Sequence, residues 1–178
     1  KISQSKRVNK IFAAPGNPGM KHLADLIDIK PTSIIELADF AQEEKIDLTV
    51  VGPEQPLALG IVDEFNNRNL KIFGPTQKAA MIETSKSFAK EFMRKNNIPT
   101  PDFKVIHSAA EAMEYLPGAQ FPLVIKADGL AAGKGVFICR KREEANEAVK
   151  EIMLEGKFGQ SGERVVIVDR QLPSLAPR

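Results

Sequence analysis

Through residue 75, short apolar runs alternate with longer amphipathic stretches. Ile11-Phe12-Ala13-Ala14 is the first run, ended by the turn Pro15-Gly16-Asn17-Pro18-Gly19. Thr32-Ser33 offer a helix cap. Glu36, three residues after Ser33, completes a capping box ahead of a helix through Gln42. Residues 47–51 predict a buried strand stopped by Gly52-Pro53, residues 57–68 a helix, and residues 71–73 a strand before Gly74-Pro75. Strands alternating with helices imply right-handed crossovers and a parallel sheet. Ligands of such sheets bind beyond the carboxyl ends of the strands. Residues 15–19, 52–57 and 74–76 are therefore expected along one rim.

Beyond Thr76 the pattern changes. Residues 84–96 predict a strong helix with Phe88, Phe92 and Met93 on one face, closed by Asn96-Asn97 and Pro99. A strand at 103–106, a helix at 109–116, a strand–loop–strand unit within 121–140, a helix at 143–154 and a strand at 165–168 follow. A domain boundary is expected near residue 84, giving an N-terminal α/β domain over 1–84 and a second, α+β domain over 85–178. The last strand reads as unpaired, and residues 171–178 fit no element. The chain also opens in a polar stretch leading straight into a strand. Its two ends read as those of a fragment, with an open sheet edge that complete proteins usually cover.

The strand–loop–strand unit carries the chemistry. Between two apolar runs lie Gly129, Gly133 and Gly135, with Ala131 and Ala132 among them, so backbone amides can close on an anion without obstructing Cβ atoms. Lys134 sits at the tip and Lys126 within the first run. This is not a Walker A loop: three residues, not four, separate Gly129 from Gly133, and Lys134 is followed by Gly135 and a β-favouring run. A glycine-rich hairpin folding over a polyphosphate is the favoured reading; a plain turn is the alternative. Strand alternation puts Lys126 on a face with Val124, opposite Leu123 and Ile125. A lysine so placed needs water or an anion.

Composition narrows the partners. Across 178 residues the formal charge is +2, so no global field attracts nucleic acid or acidic membranes. One tyrosine and no tryptophan leave no stacking platform for bases. No apolar run reaches membrane-spanning length. The single cysteine, Cys139, permits no internal disulfide, fits a reducing cytoplasm, and reads as a buried structural thiol. His22 and His107 show no metal-ligand spacing. A soluble cytoplasmic protein, a monomer or weak oligomer acting on small molecules, is expected.

Six motifs in order then resemble one family: Ala14-Pro15-Gly16-Asn17; Val51-Gly52-Pro53-Glu54 with Pro56-Leu57; Phe73-Gly74-Pro75; Ser85-Lys86 with Phe88-Ala89-Lys90; Ile98-Pro99-Thr100; and Lys126 through Val136. From about residue 5 to about residue 168 the chain is similar to the phosphoribosylamine–glycine ligases, ATP-grasp enzymes of purine synthesis. The resemblance implies a parallel-sheet domain lacking its first strand, followed by the first part of an ATP-grasp domain. It implies ATP-dependent ligation of glycine to 5-phosphoribosylamine through a glycyl phosphate, giving glycinamide ribonucleotide, ADP and phosphate. ATP would meet Lys86, Lys126, Asp128, Gly129, Gly133, Lys134, Gly135 and Asp169. Phosphoribosylamine would meet Pro15, Gly16, Asn17, Gly52, Pro53, Glu54 and Pro56; Glu54 reads alternatively as a plain surface carboxylate. Mg²⁺ is implied, with its ligands outside this chain, so the chain alone is expected not to turn over. Another ATP-grasp ligase or carboxylase, or a non-catalytic ATP-binding module, are the alternatives. After Ile167 the sequence departs from the family pattern, which leaves the adenine and ribose contacts open.

Overall fold

The computed structural model describes residues 1–131 and 133–169. They fall into two compact units, Lys1–Ala80 and one beginning at Met81. In the first, β1 (Phe12–Ala13) pairs in parallel with β2 (Asp25–Leu26), and β3 (Thr49–Val50) with β4 (Ile72–Phe73). Helices α1 (Ile34–Glu43), α2 (Glu54–Ala58) and α3 (Ile61–Asn67) accompany them. Ala38, Ala41, Ile61, Val62 and Phe65 form the core of this unit. Arg68 ties α1 to α3, bonding Asp39 at 2.5 Å and Glu64 at 2.6 Å.

Parallel pairing is as expected; several details are not. The expected common rim is divided between two separate strand pairs. Gly74, after β4, does abut the α2 region, since an added Cβ would lie 2.9 Å from the Leu57 side chain. The expected buried strand at 47–51 is short and open, with Leu48 57% and Val50 48% exposed, because among the described residues β3 pairs with β4 alone. The helix expected over 57–68 breaks at Gly60, whose φ of +85° is left-handed. The capping box does not form: the Ser33 ψ of 66° leaves its hydroxyl without a capping bond. Ser85 and Ser108, with extended backbones, do cap their helices. Strand β2 and α4 (Gln77–Thr84) were not expected from the sequence pattern.

The second unit follows the sequence more closely. Helix α5 (Lys86–Lys95) leads to β5 (Phe103–Ile106), α6 (Ala109–Tyr115), β6 (Leu123–Ala127), β7 (Val136–Cys139), α7 (Arg142–Val149), a π-helical continuation at Lys150–Leu154, and β8 (Val165–Asp169). The sheet order is β5-β8-β6-β7, antiparallel throughout. The last strand is therefore not the unpaired edge expected: it sits between β5 and β6. Val165, Val166, Ile167 and Val168 are all buried, as an apolar run in a sheet interior must be. Leu123, Ile125 and Ala127 are buried while Val124 and Lys126 are half-buried, the alternation that the pleat dictates. The buried face packs on α6 and α7 through Ala112, Ala145, Ala148 and Val149.

Candidate functional site

The glycine loop joins β6 to β7, and its glycines are not equivalent. At the base, an added Cβ on Gly129 would lie 2.5 Å from Ser161 Oγ, and one on Gly135 would lie 2.9 Å from the Cβ atoms of Ala127 and Ala131. Those contacts admit hydrogen only. Gly133 at the tip has φ +77° and nothing within 4 Å. Lys134 beside it is exposed, and its N–H donates to the Ala131 carbonyl at 2.9 Å. Ser161 Oγ donates to the Leu130 carbonyl at 2.8 Å. The base is thus packed and bonded while the tip is open.

Lysines gather near that base. Lys126 projects from β6 on the face away from the helical core, and among the described residues it has no hydrogen-bond or ion-pair partner. Lys86 opens α5 and donates through Nζ to the Gly129 carbonyl at 2.8 Å. Burial pushes the Lys86 ammonium pKa down; Asp128 opposes the shift and Lys126 adds to it. Lys90, one helical turn on, is likewise lowered by burial and then by Lys126. Its Nζ donates to Thr100 Oγ1 at 2.5 Å. Lys86 and Lys90 each feel Lys126, and of these three Lys126 is the one without a hydrogen-bond partner among the described residues. Lys90 was not among the site residues expected from sequence, although its i, i+4 spacing from Lys86 is a signal that could have found it.

Asp128, expected at the ATP site, adjoins the base of the loop. It is 4% exposed, and its carboxylate is held by protein donors. Ser87 N–H lies at 2.6 Å, Ser87 Oγ at 2.8 Å, Ser85 Oγ at 3.2 Å and the Arg164 guanidinium at 2.8 Å. For Asp169 the described part is the backbone, opposite Leu123 in the β6–β8 ladder; its side chain and everything after it lie outside the described residues.

The other expected residues belong to the first unit. Pro15 and Asn17 are exposed after β1, and Asn17 Oδ1 accepts the Gly19 N–H at 3.0 Å. Gly16, with φ +69°, would bring a Cβ within 2.6 Å of Leu26, so packing alone requires glycine there. Gly52, Pro53 and Glu54 are exposed where β3 gives way to α2, whereas Pro56 is buried. Among the described residues no group of three or more His, Cys, Asp or Glu side chains is placed to hold a metal ion. No helix among them is long and apolar enough to cross a membrane.

An antiparallel sheet that carries a glycine-rich hairpin, with Lys86 bonded at the hairpin's base, is the arrangement of an ATP-grasp fold. The fold is shared with a biotin carboxylase domain from Hydrogenobacter thermophilus, solved with magnesium ADP and bicarbonate: TM-score 0.70 at 19% identity, over 89% of this chain and 38% of that one. The particular family is fixed by sequence. The model of the phosphoribosylglycinamide synthetase N domain matches residues 1–83, and that of the ATP-grasp (A) domain of the same enzyme matches residues 84–172. The chain belongs to the phosphoribosylglycinamide synthetase family. A phosphoribosylamine–glycine ligase of Caldanaerobacter subterraneus is 53% identical over 172 residues, 97% of this chain and 41% of the relative. The crystal structure of the Thermotoga maritima phosphoribosylamine–glycine ligase superposes with TM-score 0.72 at 28% identity, over 94% of this chain and 39% of that one. The chain thus spans about 40% of the length of the relatives it matches.

Proposed function

We propose that this chain supplies the substrate-side domain, residues 1–84, and the glycine-loop part of the ATP-grasp domain, from residue 85, of an enzyme that ligates glycine to 5-phosphoribosylamine at the expense of ATP. The observation that carries this reading is Lys126, without a partner among the described residues and close enough to Lys86 to lower its pKa, on the strand that leads into the glycine loop. A triphosphate is the anion that such a cluster accommodates. Lys86 and Lys126 would offset charge as the γ-phosphoryl group moves, a role of position and electrostatics rather than proton transfer. Closure of the tip around Gly133 and Lys134 would exclude water from an acyl phosphate, and the packed Gly129 and Gly135 would anchor that movement. Pro15, Gly16, Asn17, Gly52, Pro53 and Glu54 would receive phosphoribosylamine, with Glu54 accepting hydrogen bonds from its amine or hydroxyls and Pro56 shaping the turn from beneath. Mg²⁺ would arrive with the triphosphate and take its protein ligands from outside this chain, so the chain alone would bind ATP without turnover.

The test is calorimetric titration of ATP into the chain and into Lys126→Met. Loss of a charge-assisted contact of about 1.5–3 kcal/mol weakens binding roughly 10- to 100-fold. Equal affinity in the two proteins removes the phosphate role. Glycine-dependent ADP release by the full-length parent enzyme, with phosphoribosylamine generated from ribose 5-phosphate and ammonia, separates this ligase from a bicarbonate-using relative of the same fold.

A further inference from the structure

Three consecutive residues, Ser85-Lys86-Ser87, meet two, Asp128-Gly129, in bonds that the first segment donates and the second accepts. Lys86 N–H donates to the Asp128 carbonyl at 3.0 Å, and Lys86 Nζ donates to the Gly129 carbonyl at 2.8 Å. Ser87 N–H and Oγ both donate to the Asp128 carboxylate. Phe88 N–H is taken by Ser85 Oγ at 3.2 Å. The amides that open α5 are therefore all occupied within the protein, and none is left to receive a phosphate. From the far side, Asp128 N–H donates to the Arg164 carbonyl at 3.0 Å, and the Arg164 guanidinium returns to the carboxylate. One buried carboxylate joins the start of α5, the end of β6 and the residue preceding β8.

We propose that Asp128 is a positioning residue: without touching the nucleotide, it locks the first turn of α5 to the base of the glycine loop and so holds Lys86 where a triphosphate arrives. This deepens the function proposed above and rests on it. A buried carboxylate cannot be left without donors, and its donors here come from both pieces whose relative placement the phosphate site needs. Ser85 and Ser87 bracket Lys86, so fixing them fixes the lysine between.

The experiment uses the 178-residue chain and its Asp128→Asn variant, with ATP and inorganic tripolyphosphate as probes. Amide exchange at Lys86, Ser87 and Phe88 should quicken on the order of tenfold or more, while Ile125 and Ile167 in the sheet stay protected. The Lys86 ammonium, followed by its ¹³Cε shift, should titrate at lower pH than in the wild type, since Asp128, ahead of Glu83, opposes the lowering that burial and Lys126 impose. Tripolyphosphate affinity should fall on the order of tenfold. Unchanged Lys86 titration, or unchanged affinity where the wild type binds, overturns the inference. A wild type that binds neither probe overturns the functional reading instead, and the exchange and titration results still decide whether Asp128 positions Lys86. Should Asp128→Asn fail to fold, Ser87→Ala and Arg164→Gln each remove one donor to the same carboxylate. Both keep the carboxylate charge, so both should show the exchange and affinity changes in weaker form without the titration change, and the absence of those changes in both overturns the inference.

Discussion

The two units bury apolar surface to different extents. Among the described residues of the second, thirteen buried ones form one cluster with a four-stranded sheet. In the first, five do so beside two pairs of two-residue strands, and Phe73 is left 70% exposed. The second unit has every ladder of its central strands β8 and β6 filled on both sides, whereas isolated strand pairs are marginal in water. The glycine loop springs from the better-buried unit. That placement is physically apt, because a tip that must move needs a base that does not.

Core truncation is the largest lever on this comparison. Phe65→Ala should remove about 3–5 kcal/mol from the first unit and Leu123→Ala about 2–5 kcal/mol from the second. Domains rarely hold more than about 5–15 kcal/mol in all. With so small a core, residues 1–80 should lose cooperative structure in Phe65→Ala. Residues 81–169 should remain folded, at lower stability, in Leu123→Ala. Residue-resolved amide exchange reads both. Survival of the first unit alongside collapse of the second would break the comparison outright.

A smaller effect separates base from tip within the loop. Gly129→Ala meets Ser161, including its backbone Cα at 3.1 Å, and overpacking of that kind costs about 1–3 kcal/mol. Gly133→Ala meets nothing and costs about 1–2 kcal/mol for its left-handed φ alone. Adding Ser161→Gly to Gly129→Ala should restore part of the loss in thermal melts, and it should restore nothing to Gly133→Ala. Equal behaviour of the two glycines would erase the distinction between a packed base and an open tip.

Legibility in the sequence divides along similar lines. Residues 103–106, the hairpin strands and the alternation around Lys126 were readable because apolar periodicity is local. The place of β8 was not: its partners in β5 lie far back in sequence, and a strand's own residues name no neighbours. Two-residue β2 has too few positions to show a period, and α4 buries only Ala80, so it carries little amphipathic signal. At the site, Lys126 and the loop glycines announced themselves by residue type. Asp128 was noticed as part of a motif, but its donors Ser85 and Ser87 stand 43 and 41 residues away. Only the fold brings them to it.

The smallest effect is one of reactivity, and it probes the second unit from inside. Cys139 is 1% exposed at the end of β7. Burial, with Glu144 adding to it, pushes its thiol from the ordinary 9.0 up to about 11. Thiolate is the reactive form, so iodoacetamide should label the folded chain at pH 8 far more slowly than the urea-unfolded chain. The linkage has a definite sign. Below about pH 9 the thiol is protonated in both states and contributes no pH dependence. Between about 9 and about 11 the unfolded thiol ionises while the buried one does not, and stability falls as pH rises. The urea midpoint of the second unit should therefore decline across that window in the wild type and decline less in Cys139→Ala. Rapid labelling at pH 8, at a rate near that of the unfolded chain, would mean that the core around β7 opens readily. The contrast between a tight second unit and a loose first one would then fail at its strongest point.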